Sequence, residues 1–122
     1  MHPFPGYAPT CWPAEDGGPT REQAPHGIAG LNASGANLEL LASRPAHGAH
    51  MGVIGTEGRI YLLRSLFGKT VFNEPAEAIV EIVDPLTLEA TLTSPVLPAG
   101  PWWAGGLAVH ADGGIIVVSG QW

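Results

Sequence analysis

TEGRIYLLRS at residues 56–65 and ADGGIIVVSG at residues 111–120 are one phrase written twice. In each, an acidic residue followed by glycine (Glu57-Gly58, Asp112-Gly113) forms a turn. Four apolar residues come next: Ile60, Tyr61, Leu62 and Leu63 in one copy, Ile115, Ile116, Val117 and Val118 in the other. Corresponding residues stand 55 positions apart, and self-similarity at a fixed spacing points to a repeat architecture before any single residue is interpreted. A second echo runs from NLELLAS at 37–43 to TLEATLT at 87–93, at an offset of 50. Turn segments precede both, LNASGA at 31–36 and VDPL at 83–86, where Asn or Asp starts the turn by bonding its own backbone and Pro or Gly sets the dihedrals.

The composition agrees with many short strands. The chain has 122 residues, room for one domain with a modest core. Hydrophobic residues make up 45% and charged residues 13%, which excludes a disordered polyelectrolyte. The 17 glycines and 12 prolines interrupt every stretch with helical spacing. A formal charge of −6 with only five Lys and Arg disfavours nucleic acid as a partner. No run approaches the ~18 apolar residues of a membrane span, and MHPFPGYAPTCWP lacks the basic and apolar regions of a signal peptide, so the expectation is no membrane association and a cytoplasmic location by default. Cys11 stands alone, without a partner for an intrachain disulfide or a nucleophile signature, and is read as a buried or incidental thiol.

Residues 1–26 read as a Pro/Gly-rich lead segment, too rich in proline for regular sheet, with Phe4, Tyr7 and Trp12 able to pin it to a folded surface or else leaving it a loose tail. Residues 27–122 form the repeat region, with strands expected at 27–32, 37–43, 50–54, 59–64, 78–84, 88–93, 106–110 and 114–119. AIVEIVD at 78–84 is apolar on both faces and predicts a strand with packing on each side. The expected fold is therefore all-β, made of antiparallel four-stranded units. With the strands of a unit labelled A to D, the chain runs C-D, A-B-C-D, A-B. Units of this length fit about two blades of an incomplete β-propeller. An eight-stranded sandwich or meander, its echo due to generic hairpin chemistry, is the alternative. A propeller cut in this way leaves an unpaired edge, so the expected partners are further blades of a longer parent chain or other copies joined through open strand edges.

GGLAVHADGGIIVVSG at 105–120 and EIVDPLTLEAT at 81–91 resemble the phrases of propeller repeats of the NHL, SMP-30/gluconolactonase-like, YVTN and quinoprotein-like (PQQ-type) families. The resemblance spans roughly residues 27–122 and implies a parent that closes a ring with more blades than are present here. It further implies a ligand site at one mouth of the central channel, lined by the D-to-A connections and the B-to-C loop. On this chain those are RPAHGAH (44–50), SPVLPAGPWWAGG (94–106) and LFGKTVFNEPAE (66–77). His47, His50, Lys69, Asn73, Trp102 and Trp103 are then the ligand-binding candidates, with His110 toward the opposite end.

The side chains themselves narrow this only slightly. His47 and His50 are three apart around a glycine and lack further ligands at diagnostic spacing, so neither a metal nor a cofactor is expected. A neutral imidazole still suits acid/base work or ligand contact. Trp102 and Trp103, held between proline and glycine, offer flat faces for stacking on a ligand or for packing between sheets. Glu81 and Glu89 lie on a strand and at a hairpin, which favours solvated or salt-bridged roles over glycosidase chemistry. No Gly-x-Ser-x-Gly elbow or phosphate-loop spacing is present. No catalytic residue is assigned. The expected function is that of a binding or scaffold fragment without independent catalysis; the alternative is a fragment of a lactonase-like, lyase-like or quinoprotein-like propeller enzyme.

Overall fold

The computed structural model describes residues 5–14, 39–66, 76–100 and 105–118. They form antiparallel β-sheet with almost no helix: β1 (Ala49–Ile54), β2 (Ile60–Leu66), β3 (Ala76–Val83), β4 (Ala90–Thr93), β5 (Leu97–Gly100), β6 (Gly106–Val109) and β7 (Ile115–Val118). A single 3-10 turn, Thr56–Gly58, joins β1 to β2.

β1, β2, β3 and β4 pair in chain order, and β5 pairs with the same edge of β3 that β4 uses. The two act as one outer strand broken at Ser94, whose N–H donates to Val80 O (2.9 Å) while its hydroxyl accepts from Val80 N–H (3.0 Å). Pro98 is tolerated because this is an edge. The sequence alone assigned residues 97–100 to a connection. β6 and β7 form a separate hairpin, and neither sheet closes on itself among the described residues.

Six of the eight expected strands coincide with observed ones. The expected strand at 27–32 lies outside the described residues. That at 37–43 is corrected: over its described part, 39–43, the chain forms no strand. Leu40 and Leu41 are 80% and 81% exposed there, Pro45 cannot donate to a ladder, and Arg44 is drawn to a carboxylate on β3.

The two hairpins share one register. β1 pairs with β2 as Met51↔Leu63, Gly52↔Leu62, Val53↔Tyr61 and Ile54↔Ile60. β6 pairs with β7 as Gly106↔Val118, Leu107↔Val117, Ala108↔Ile116 and Val109↔Ile115, each pair 55 positions beyond its counterpart. Both turns need left-handed backbone, at Glu57 (φ 61°) and Gly58 (φ 73°) in one and Gly113 (φ 88°) in the other.

The faces are used differently in the two hairpins. Val53, Tyr61, Leu63, Val80 and Ala78 turn one face of the larger sheet into the core, and the hairpin lays Leu107 and Val109 on it, with Ile115 and Val117 alongside. The hairpin's other face leaves Ile116 and Val118 51% and 57% exposed. Burying the apolar face is the main stabilising term, at about 25 cal/mol per Å² removed from water.

The lead segment is pinned at residues 5–14. Ala8, Pro13 and Ala14 are buried, Trp12 packs against the core, Ala14 makes an isolated bridge to Ala108 on β6, and Tyr7 makes one to His110 just after it. It also holds β1, because Ile54 N–H donates to Trp12 O (2.7 Å) and Thr10 Oγ1 donates to Ile54 O.

Candidate functional site

One end of the larger sheet carries residues 47–50 and the described residues that flank the other segments of interest. β1 begins at Ala49 opposite Arg64, β2 ends at Leu66 opposite Glu77, and Ala76 lies opposite Gly100 of β5. The chain thus enters and leaves 67–75, and leaves β5 toward 101–104, at the end that carries residues 47–50. Lys69, Asn73, Trp102 and Trp103 fall in those two stretches, outside the described residues. His47 and His50 are described, and both are exposed. His110 follows β6 away from this cluster, its Nδ1 2.8 Å from Asp112 Oδ1.

His47 contributes its backbone: its carbonyl accepts from Arg64 Nε at 3.0 Å. His50 sits in the β-bulge between Ala49 and Met51, which tips its ring toward the sheet end, where Nε2 lies 2.5 Å from Ser65 Oγ. An imidazole on a serine hydroxyl is the first half of a nucleophile–base arrangement. Ser65, however, is only 2% exposed, so a substrate carbonyl has no approach to its oxygen. The contact latches the bulge and satisfies a buried hydroxyl.

Among the described residues the strongest electrostatic feature is a carboxylate whose two partners the sequence hid. Glu81, on β3, is 4% exposed and bonded to two guanidinium groups: Arg64 Nη1 at 2.5 Å from Oε1, and Arg44 Nη2 on Oε2. Burial pushes the Glu81 carboxyl up, but hydrogen bonds from Arg44 and Arg64, with their charges, outweigh it and hold the group below the usual glutamate range. The reading of Glu81 as salt-bridged rather than catalytic fits this geometry. Arg44 could not be matched to Glu81 from sequence because the two are 37 residues apart, with no periodicity linking them.

Two exposed turns fix carboxylates by backbone donors. Asp84 Oδ1 accepts from Leu86 N–H (2.8 Å) and Thr87 N–H (2.9 Å), and Asp112 Oδ1 accepts from Gly114 N–H (2.8 Å). Each carboxyl is held below the ordinary aspartate value, Asp84 by the Thr87 and Leu86 amides and Asp112 by the Gly114 amide and then His110. These are turn-forming contacts. Among the described residues, no three His, Cys, Asp or Glu side chains gather as metal ligands would.

One concavity among the described residues is apolar. A cleft of about 280 Å³ opens between the core face of the larger sheet and the inner face of β7, lined by Tyr61, Val80, Ile82, Leu92, Leu97, Ile115 and Val117, with Ser94 at its side. Sequence reasoning missed it because its floor combines β2, β3 and β4, which end 22 or more residues before β7 begins, with β5, which was read as loop. The unbroken apolar run of β7, Ile115 to Val118, was the available signal, because it leaves neither face of the strand polar.

No family model, curated protein or solved structure matches the chain. Among the described residues, no helix is long and apolar enough to cross a membrane.

Proposed function

We propose that this chain is a binding or scaffold module of β-propeller-type blades, without catalysis of its own: β1 to β5 supply one blade and β6–β7 the first two strands of the next. The observation that carries this reading is the register repeated at 55 residues. It supports equivalence of the hairpins residue by residue, beyond their common turn chemistry.

The packing adds direction. Leu107, Val109, Ile115 and Val117 of the hairpin correspond to Gly52, Ile54, Ile60 and Leu62 of the larger sheet, so the second unit lays one face on the opposite face of the first. Stacking of unlike faces leaves each unit a surface for the next, the heterologous geometry that generates rings or open arrays. Ile116 and Val118 occupy the positions equivalent to Tyr61 and Leu63, and their exposure marks the face a further blade would cover. The ionisable groups meanwhile pair for structural ends, Glu81 with arginines and His50 with a buried serine.

Sedimentation velocity over a wide concentration range tests this reading. The expected result is concentration-dependent association that Ile116→Asp with Val118→Asp abolishes while the circular dichroism stays that of β-sheet. A chain that stays monomeric throughout, or associates equally well with both aspartates, contradicts it.

A further inference from the structure

Among the described residues, β7 pairs along one edge only, and the apolar cleft lies directly beside its other edge. In the β6–β7 ladder, His110 N–H donates to Gly114 O at 2.8 Å, which sets the alternation: Ile116 and Val118 exchange main-chain bonds with β6, and the N–H and C=O of Ile115 and Val117 point the other way. No described strand pairs with β7 on that side. The counterpart edge of β2 is occupied, since β3 pairs along it from Ile60↔Val83 to Leu66↔Glu77. Beneath the open edge the core face of the larger sheet continues past Tyr61 to Val80, Ile82, Leu92 and Leu97, and Leu92 is 62% exposed. Edge and floor extend one interface, already formed where the hairpin lies on Tyr61 and Leu63.

We infer that this surface is a strand-addition site, and that its occupant is an extended polypeptide segment with an apolar residue at every second position. The main chain of the segment pairs antiparallel with Ile115 and Val117, giving affinity through hydrogen bonds. Its alternate side chains fill the cleft over Ile82, Leu92 and Leu97, giving selectivity for the pattern. The net charge of −6 favours a segment with cationic flanks. The proposal rests on reading β6–β7 as the opening strands of a blade, because that equivalence identifies the free side of β7 as a position built to receive a strand.

The test uses the full chain and an acetylated, amidated peptide, Lys-Val-Thr-Val-Thr-Val-Thr-Lys, with a control of identical composition in which the three valines are consecutive. Hydrogen exchange of the Ile115 and Val117 amides is followed during titration. Saturable slowing of both by about tenfold or more with the alternating peptide, and not with the control, is expected. Val117→Pro removes an outward-facing donor while sparing the ladder to β6 and should abolish the slowing at Ile115, the amide that remains; Leu92→Asp places charge on the exposed floor and should abolish it at both. Absence of slowing at high peptide concentration, equal slowing by the control, or slowing retained in Leu92→Asp would overturn the proposal. A chain that fails to associate by sedimentation yet binds the alternating peptide refutes the stacked-blade reading alone. One that associates through Ile116 and Val118 yet ignores the peptide refutes the strand-addition site alone.

Discussion

Ile54 and Val109 stand at equivalent positions of the two hairpins, and each donates its backbone N–H, at 2.7 Å, to one of two adjacent carbonyls, Trp12 O and Pro13 O. Their own carbonyls are taken by the same short segment, Ile54 O by Thr10 Oγ1 and Val109 O by Ala8 N–H (2.9 Å). A proline-rich stretch is well suited to this task. It cannot propagate a ladder, so it satisfies two separate strand edges without continuing into sheet.

Thr10→Val should therefore cost more than a surface change. It leaves Ile54 O without its hydroxyl donor, a loss of about 1 kcal/mol. Thr93→Val, on the exposed outer strand, should stay within about 0.5 kcal/mol. Urea unfolding of both variants checks the difference, and equal effects would mean that the lead segment is not bound to β1.

Gly55 is fixed by packing. A Cβ placed there would come within 2.4 Å of Tyr61 Cε2, inside the ring's own contact distance. Because Tyr61 also lines the cleft and faces the hairpin, Gly55→Ala should cost about 1–3 kcal/mol through displacement of the ring. Thermal unfolding together with the near-ultraviolet tyrosine signal would register it.

Glu81→Ala should be the most damaging single change on the outer face of β3, about 3 kcal/mol, because Arg44 and Arg64 would be left with no carboxylate between them. Glu89→Ala, at an exposed turn, should be near neutral. If the two substitutions unfold at the same urea concentration, the ion cluster contributes nothing to the fold.

Acid should weaken the protein in a defined direction. Glu81, Asp84 and Asp112 all titrate below their ordinary values of 4.5 and 3.8, so the unfolded chain takes up protons first as pH falls. Their stabilising effect is complete above those ordinary values and is lost progressively as pH drops through the lower folded ones. Unfolding free energy measured from pH 6 downward should fall below about pH 4.5. Glu81→Gln should flatten that dependence, and an unchanged slope would assign it to other groups.

Much of the sheet was legible because alternation and turn chemistry are local. Ile115 to Val118 after Asp112-Gly113-Gly114 reads as a strand after a turn, and it is one. What could not be read depends on pairing at a distance. Leu97–Gly100 has two features of a loop, Pro98 and a closing glycine, and becomes strand only because Ala76 to Ala78 offer an edge. Residues 39–43 have the pattern of a strand and find no edge. The candidate residues divide in the same way: the resemblance to propeller repeats put His47 and His50 in one connection between strands but could not foresee that one offers its carbonyl to Arg64 and the other its ring to Ser65.

Native-state hydrogen exchange along β2 and β7, at low protein concentration, tests the central claim most directly. If the hairpins are equivalent and β7 lacks its third strand, protection should be continuous through Ile60, Tyr61, Leu62 and Leu63, which lie between two partners. It should alternate in β7, slow at Ile116 and Val118 and fast at Ile115 and Val117. Continuous protection across Ile115–Val118, or fast exchange throughout it, would contradict the account.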